Sequence, residues 1–327
     1  MDAQLCRGCV LPGSFPGIRF SAEGLCQYCA GLEAPLDFPA IRAEVESLVR
    51  GQLGRAPVYD MVLAFSGGKD SSFALRYLRE TFPEARIIAF TVDNGFIAER
   101  ARQNCLDVTA RLGVDHLFFR PAPAAMGEVY RASLAGDLHS RAALKRASAV
   151  CNSCIQVINT QVLNFAAGYD IPIVAGGYIG GQVPSRSGHM RQNLALTQSL
   201  REAFQAKLRA ALGDAARLFE QHGGAREALY VINPMVYLNL SEEAILAAVA
   251  EAGWQAPEDT GPASTNCLLN DFAIHEHRKR HGFHPYVFEI ALMVRQGTLA
   301  REQALQKLAA PLREQDFALT RARLGLD

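Results

Sequence analysis

Residues 58–72 of this 327-residue chain place an apolar run directly before a glycine-rich polar loop. The run VYDMVLAF (58–65) is typical of a buried parallel strand. The loop that follows consists of Ser66, Gly67, Gly68, Lys69, Asp70, Ser71 and Ser72. Apolar residues then recur at helical spacing. Glycines let a backbone turn sharply toward an anion, and a helix adds the positive end of its dipole. The segment therefore predicts a strand–loop–helix unit that binds phosphate.

The spacing of this loop differs from that of the phosphate loop of kinases and GTPases. That loop needs GxxxxGK followed by Ser or Thr, whereas here Lys69 directly follows two glycines. Lys69 supplies a full positive charge, and the serines supply hydroxyl donors. The alternative is an ordinary polar turn. We favour phosphate binding because several small or charged residues follow a buried strand in this order.

Strand and helix patterns alternate along most of the chain. The predicted strands are 58–65, 86–95, 115–120, 170–178 and, less regularly, 229–238. The predicted helical stretches are 37–55, a run after the loop, 98–112, 124–170, 194–223, 241–254 and 271–322. This alternation predicts an α/β fold with a doubly wound parallel sheet. The expected organisation is a module over 1–35, a phosphate-loop domain over 36–240 and a helical C-terminal extension over 241–327.

Charge and hydropathy exclude several classes of protein. Lys and Arg total 33, as do Asp and Glu, so strong overall basicity toward nucleic acid is excluded and only a local basic face remains. The sequence has neither a run of about 18 apolar residues, as a membrane helix requires, nor a basic-then-apolar N-terminal signal. We expect a cytoplasmic protein with no membrane partner. In a reducing compartment, its eight cysteines indicate metal binding or catalysis rather than disulfides.

Two CxxC pairs lie close together near the N-terminus. They are Cys6 with Cys9 and Cys26 with Cys29. Zn²⁺ takes four soft ligands in a tetrahedron, and each CxxC turn presents two thiolates to one ion. The surrounding segment has too few apolar residues to fold without such a ligand. The pattern predicts a structural zinc site, with a redox pair or an iron–sulfur cluster as alternatives.

A third CxxC pair, Cys151 and Cys154, falls within a helical stretch, and Cys267 follows much later. Taken alone, the pair could be redox-active or could consist of two packed core thiols. The sequence does not show that Cys267 approaches it. Cys105 stands alone in a helical pattern and is expected to be a buried, small apolar residue.

The motif SGGKDS after an apolar strand resembles the signature of the PP-loop ATP pyrophosphatases, also called adenine nucleotide α-hydrolases. In that family the loop grips the pyrophosphate of ATP while a substrate oxygen attacks the α-phosphorus. The resemblance implies that residues 66–72 bind ATP, with Lys69 and Asp70 catalytic. It places Thr91, Val92 and Asp93 beside adenine and ribose, and Gly176 and Gly177 in the same crevice. ATP would bring Mg²⁺, with Asp70 or Asp93 as its carboxylate.

The cysteine pattern resembles a branch of this family that thiolates tRNA bases with an iron–sulfur cluster. That branch combines an N-terminal CxxC…CxxC module with SGGKDS, a central CxxC and one distant cysteine. The resemblance implies that Cys151, Cys154 and Cys267 bind a 4Fe-4S cluster and leave one iron open for sulfide. Structural thiols remain the alternative.

A second resemblance leads to a different nucleophile. CRGCVLPGSFPGIRFSAEGLCQYC, NCLLND and GTLAREQAL are similar to segments of the N-acetyl sugar amidotransferases, which also carry SGGKDS. Those enzymes use ammonia from a partner glutaminase. RASAVCNSCI and IVAGGYIGGQVP differ from that family's acceptor region, and Gly176-Gly177-Tyr178 replaces the GHNxDD-like stretch of the thiolases. The chain could therefore belong to a third, related branch.

These patterns together predict an ATP-dependent enzyme that adenylates a carbonyl or amide oxygen and replaces it with sulfur. The alternatives are amidation with ammonia and a nucleotide-binding adaptor that never turns over. The expected partners are an acceptor (tRNA, sugar or small molecule) and a sulfur donor protein or a glutaminase, and the chain could form a homodimer. ATP, Mg²⁺, Zn²⁺ and a 4Fe-4S cluster are the expected cofactors.

Two further segments carry basic residues. The stretch 275–284 holds four histidines beside Arg278, Lys279 and Arg280, and it predicts a solvated basic helix face that would contact phosphates if tRNA is the acceptor. The stretch 185–192 predicts a mobile basic loop, with a lid over the acceptor site as the sharper alternative.

Overall fold

The computed structural model describes residues 4–31, 36–136, 138–183, 186–224 and 226–326. In this part of the chain, six strands form one mostly parallel sheet in the order β3-β2-β1-β4-β6-β5. The strands are β1 (Met61–Ala64), β2 (Ile87–Val92), β3 (Asp115–Phe119), β4 (Ile173–Gly176), β5 (His189–Asn193) and β6 (Ala228–Ile232). Only β5 pairs antiparallel with its neighbour. The predicted α/β fold with a doubly wound sheet is confirmed.

Helices connect and flank these strands. The α-helices of the described residues are α1 (Gln27–Ala30), α2 (Phe38–Arg50), α3 (Lys69–Thr81), α4 (Glu99–Leu112), α5 (Pro123–Ala135), α6 (Arg141–Leu144), α7 (Ala149–Gly168), α8 (Leu194–Leu212), α9 (Pro234–Leu238), α10 (Glu242–Glu251), α11 (Asn270–His281), α12 (Val287–Arg295), α13 (Arg301–Ala309) and α14 (Phe317–Leu324). Short 3₁₀ segments cover Gly213–Phe219 and Glu314–Asp316. None of these helices has both the length and the apolar character needed to cross a bilayer.

The central strand β1 explains the layering. Met61 and Leu63 face a core formed with α2, α3, α4 and α10. Val62, which lies between them, faces the opposite core formed with α7. Successive side chains of a strand point to opposite faces, so a strand buried on both faces must be apolar throughout. This is why the sequence shows a continuous apolar run here rather than an alternating one.

The sheet reverses its winding direction beside β1. The chain passes outward through β2 and β3 and then returns to β4 on the other side of β1. The two strands end together, since Ala64 pairs with Gly176. The loops after β1 and β4 therefore leave the same point in opposite directions, which opens a crevice at the carboxyl ends of the strands.

The N-terminal segment and the C-terminal helices share one core. Phe15 is buried between Phe283 and Phe288, with ring centroids 5.4 and 5.7 Å away. Arg301 donates hydrogen bonds to the backbone carbonyls of Cys9 and Cys6, at 2.9 and 3.1 Å. The two ends of the chain thus stabilise each other. The predicted boundary between residues 35 and 36 adjoins residues 32–35, which lie outside the described part of the chain.

Several predicted elements need correction. The stretch 185–192 is not simply a loop, because His189–Asn193 forms edge strand β5; Ser185 lies outside the described residues. The predicted strand 229–238 ends at Ile232 and continues as α9 (Pro234–Leu238). Proline has no N–H for the sheet but suits the first turn of a helix.

The long predicted helical stretches are interrupted. The stretch 124–170 contains α5, α6 and α7, and 271–322 contains α11 to α14. The basic segment 275–284 is not fully solvated, because His277 and His284 are buried while Lys279 and Arg280 are exposed. His277 lies edge-on to the Phe283 ring, 4.8 Å between ring centroids, so packing rather than phosphate contact fixes its place.

Candidate active site

The phosphate loop (residues 66–72) passes very close to α4. Gly67 has φ of +70°, and a Cβ placed there would lie 2.0 Å from the carbonyl oxygen of Ala101. The Gly67 carbonyl accepts hydrogen bonds from Trp254 Nε1 at 2.9 Å and Asn104 Nδ2 at 3.3 Å. Both the left-handed backbone and the close approach require glycine. The loop is therefore fixed by residues far away in sequence.

The serines of the loop hydrogen-bond to one another and to its backbone. Ser66 Oγ and Ser71 Oγ lie 3.0 Å apart, and the amide of Gly68 donates to Ser66 Oγ at 3.3 Å. Hydrogen bonds within the loop therefore fix its conformation, and the buried Ser72 hydroxyl has no partner among the described residues.

Lys69 lies at the start of α3 and pairs with carboxylates. Its Nζ lies 2.9 Å from Asp70 Oδ2 and 3.6 Å from Glu242 Oε1 of α10. Burial opposes protonation, but the Asp70 and Glu242 carboxylates outweigh it and raise the pKa of Lys69. Lys69 is therefore charged at neutral pH. A phosphate that entered the loop would compete with Asp70 for this ammonium group.

Gly176 is the last residue of β4, and Gly177 after it lies against the loop. A Cβ on Gly177 would lie 2.7 Å from Ser71 Cα, and one on Gly176 would lie 2.7 Å from Asn233 Oδ1. The structure therefore brings these two glycines and the phosphate loop to the same crevice, as the sheet topology requires.

Asp93 follows β2 directly and is held by two arginines. Its Oδ2 lies 2.8 Å from Arg102 and 3.5 Å from Arg120, and its Oδ1 accepts from the Gly95 amide at 3.0 Å. Although burial works in the opposite direction, Arg102 lowers the pKa of Asp93. Val92 beside it is buried at the strand end. Asp93 is buried and paired with two arginines, whereas Asp70 is paired with Lys69 alone and is the more exposed of the two carboxylates predicted for Mg²⁺.

Residues 264–268, which we call the strap, contact the phosphate loop at one end and contain Cys267 at the other. Thr265 Oγ1 accepts the Lys69 amide at 3.1 Å. Cys267 forms a β-bridge with Ile97, and the amide of Leu268 donates to the carbonyl of Phe96 at 2.8 Å. The strap therefore runs from the N-terminus of α3 along the segment that follows β2.

Cys151, Cys154 and Cys267 (the three-cysteine group) pack against the same hydrophobic core, and two of them contact the side chain of Asn94. Asn94 Nδ2 is 3.3 Å from Cys154 Sγ and 3.9 Å from Cys267 Sγ. Cys151 Sγ lies 3.8 Å from the Tyr286 hydroxyl. All three cysteines are partly exposed. Burial raises the pKa of each thiol, that of Cys267 to about 12.

The spacing of these sulfurs differs from that of a single-ion site. Among the described residues, only Cys6, Cys9, Cys26 and Cys29 bring their ligand atoms within 4.8 Å of one another. A cubane cluster holds its thiolates farther apart than one ion does, and hydrogen bonds to its sulfurs tune its potential. Three converging cysteines with amide and hydroxyl donors beside them fit such a group.

The four N-terminal cysteines form a compact group that could hold a metal ion. Cys6 Sγ lies 3.7 Å from Cys29 Sγ, and Cys9 Sγ lies 3.7 Å from Cys26 Sγ. These distances match the separation of about 3.8 Å between thiolates in a tetrahedron with bonds of ~2.3 Å. Burial raises the pKa of Cys9 to about 11, whereas backbone N–H groups overcome burial and lower that of Cys6 to about 6.

Sequence reasoning missed several residues around the crevice. Asn94, Tyr286 and Thr265 contact a cysteine or the loop, and Glu289 is a buried acid in α12. Burial raises the pKa of the Glu289 carboxyl to about 8. One signal was visible in the sequence, since Glu289 is the only acidic residue in the helix VFEIALMVR and has apolar residues on both sides.

Comparisons with known proteins leave the family of the chain open. No family model matches it. It is similar to an uncharacterized protein of Methanocaldococcus jannaschii, with 26% identity over 253 residues that cover 77% of this chain and 73% of that protein. Among solved structures, it is similar to the U34-tRNA thiolase NcsA from Methanococcus maripaludis with its 4Fe-4S cluster. That match has 18% identity and a TM-score of 0.35 over 91% of this chain and 89% of that chain.

Gly67→Ala should disrupt the phosphate loop far more than the matched change Gly54→Ala. Both glycines have positive φ, but a Cβ at Gly54 meets nothing within 4 Å. Gly54→Ala should therefore cost only about 1–2 kcal/mol for the left-handed backbone. Gly67→Ala should cost at least about 3 kcal/mol in urea unfolding, because overpacking against Ala101 adds to the backbone strain. Equal losses for the two variants would contradict the close approach.

Proposed function

We propose that this chain is an ATP pyrophosphatase of the PP-loop type that adenylates a carbonyl or amide oxygen and replaces it with sulfur. One observation carries the proposal: the strap joins the phosphate loop, through Thr265, to the three-cysteine group, through Cys267. The loop and the three cysteines are thus neighbours at the carboxyl edge of one sheet. Activation by ATP and delivery of sulfur need this adjacency.

In the first step, the carbonyl oxygen of the acceptor attacks the α-phosphorus of ATP, and pyrophosphate leaves. Lys69 exchanges its contact with Asp70 for the phosphates and stabilises the charge that develops on pyrophosphate. The backbone N–H groups of Gly67 and Gly68 lie at the start of α3, where the helix dipole favours an anion. Asp70 is then free to hold Mg²⁺.

In the second step, a sulfur nucleophile attacks the activated carbon, and AMP leaves with the former carbonyl oxygen. A 4Fe-4S cluster on Cys151, Cys154 and Cys267 would supply an iron with an open position for sulfide. Asn94 would donate a hydrogen bond to the sulfur of Cys154, and the Tyr286 hydroxyl would lie beside that of Cys151. The adenylated acceptor would lie between these residues and the phosphate loop.

The four N-terminal cysteines would hold a structural Zn²⁺. Their spacing suits one tetrahedral ion, and Arg295 Nη1 lies 3.8 Å from Cys9 Sγ, where it offsets part of the thiolate charge. This site lies in the core that the N-terminal segment shares with α12 and α13. We assign it a role in folding and none in the chemistry.

Amidation with ammonia from a glutaminase is the second candidate. It is favoured by one observation: two segments that resemble the N-acetyl sugar amidotransferases, the N-terminal cysteine stretch and GTLAREQAL, pack together in the same core. The two candidates differ in expected iron content, because only the sulfur reaction needs the 4Fe-4S cluster. A nucleotide-binding adaptor, in contrast, would release no pyrophosphate with any acceptor.

Lys69→Ala and Asp70→Ala should each lower acceptor-dependent pyrophosphate release by roughly 10²-fold or more. The physical reason is the loss of a preorganised charge from the phosphate loop. Release is measured with unmodified tRNA and with UDP-N-acetylglucosamine, and circular dichroism checks the fold. Arg55→Ala, which removes an exposed cation from the segment before β1, is the matched control and should keep full activity. Turnover of the loop variants within a few-fold of wild type would contradict the assignment.

Cys267→Ser should abolish iron binding in protein purified without oxygen, because a cluster left with two thiolates is not retained. The wild type should be brown and contain about four irons per chain. Cys105→Ala, a buried thiol outside the group, should keep the iron. A colourless wild type that is active with ammonia would move the assignment to the amidotransferase.

Cys26→Ser should remove zinc and destabilise the protein while leaving the chemistry of the folded fraction nearly intact. Structural zinc contributes directly to folding, so its loss should lower the midpoint of thermal unfolding. Metal analysis and calorimetry before and after chelation test this. A zinc-free wild type under reducing conditions would refute the assignment.

A further inference from the structure

Glu289 is a buried carboxyl group with an unused oxygen. Its side chain is only 9% exposed, and Oε2 has no hydrogen-bond partner among the described residues. Gln182 hydrogen-bonds to the same carboxyl group, which leaves Oε2 as the free atom. A Cβ on Gly181 would lie 2.7 Å from Glu289 Cα, so the turn after β4 packs tightly on this part of α12. An unsatisfied buried acceptor is costly, so it calls for a ligand.

The position of Glu289 indicates which kind of ligand its free oxygen would bind. On one side it packs on Gly181, which follows Gly177, and a Cβ on Gly177 would lie 2.7 Å from Ser71 Cα of the phosphate loop. On the other side it lies one helical turn after Tyr286, whose hydroxyl is 3.8 Å from Cys151 Sγ. The carboxyl group therefore lies between the ATP cradle and the three-cysteine group. That is where the proposed function places the reacting carbon of the acceptor.

We propose that Glu289 Oε2 accepts the N–H that adjoins the reacting carbonyl of the acceptor and takes its proton during adenylation. This inference rests on the proposed function. A carbonyl oxygen flanked by N–H becomes a strong nucleophile only as that proton leaves, and the ionised form of a carboxyl group within hydrogen-bond reach is a suitable base. Because burial raises the pKa of Glu289 to about 8, this ionised form increases as the pH rises from 7 to 9. The acceptor is then an N–H-bearing amide or lactam, such as the uracil base or an acetamido group.

The two steps balance with this residue in place. In the first, the O–P bond forms, pyrophosphate leaves with the electron pair of the broken P–O bond, and the N–H proton passes to Glu289. The acceptor now holds a C=N bond and an O-linked AMP. In the second, hydrosulfide forms the C–S bond and AMP leaves with the C–O electron pair. Glu289 returns its proton to nitrogen, and the hydrosulfide proton passes to solvent, which leaves C=S beside N–H.

This role restricts the acceptor. A carbonyl with no N–H neighbour, such as that of cytosine, cannot deliver a proton to Glu289 and is excluded. The same carboxylate serves the ammonia alternative, since an N-acetyl group also has N–H beside its carbonyl. Glu289 thus defines the class of acceptor independently of the incoming atom.

The test compares Glu289→Gln with Glu302→Gln, an exposed glutamate in the first turn of α13. Acceptor-dependent pyrophosphate release is measured with an unmodified uridine-containing tRNA transcript and with UDP-N-acetylglucosamine. Glu289→Gln should lose at least about 100-fold, as expected for a removed general base, with unchanged ATP binding. Glu302→Gln should match wild type.

A second readout separates this role from a structural one. An acid reserved for a ligand contributes little to the unliganded fold, so the melting temperature of Glu289→Gln should lie no more than about 2 °C below wild type. A larger fall, or turnover within a few-fold of wild type, overturns the inference. A wild type inactive with both probes contradicts the proposed function itself, and this inference falls with it.

Discussion

The close approach of the Gly67 peptide to α4 is the constraint on which the crevice depends. Because no side chain intervenes, Trp254 and Asn104 can both hydrogen-bond to the Gly67 carbonyl. Trp254 itself follows α10, the helix that carries Glu242 toward Lys69. The loop therefore owes its shape to tertiary contacts rather than to local turn preference, and it is set before any phosphate arrives. Preorganisation of this kind is what electrostatic catalysis requires.

The strap connects the phosphate loop to the three-cysteine group, two sites that differ in chemistry. Thr265 caps the first amide of α3, and two residues later Cys267 joins the segment after β2. The N-terminus of α3 is also where phosphate would bind, so Thr265 and an incoming phosphate would meet at the same amide. The strap therefore connects the proposed phosphate site to Cys267 within two residues.

The sequence predicted the layers of this fold and the residues around its crevice better than it predicted the edges. The apolar runs, the SGGKDS loop and the first two CxxC pairs carry strong local signals. Edge strand β5 has no such signal, because HMRQN is mostly polar and forms its strand by pairing with β6, which lies far away in sequence. Asn94 and Glu289 were missed for a related reason, since their neighbours in space come from distant parts of the chain. The convergence of Cys267 on the CxxC pair likewise depends on tertiary structure.

Helix α12 and the residue before it contact both groups of cysteines. Its Arg295 lies against Cys9, and Val287 and Ile290 pack on the N-terminal core. The residue before the helix, Tyr286, contacts Cys151, and Glu289 lies within the same turn. The compact group has sulfurs 3.7 Å apart and fixes one side of this helix. The wider group lies on the other side and has side-chain donors. A metal ion bound by the four N-terminal cysteines would therefore fix α12, and with it one side of the three-cysteine group.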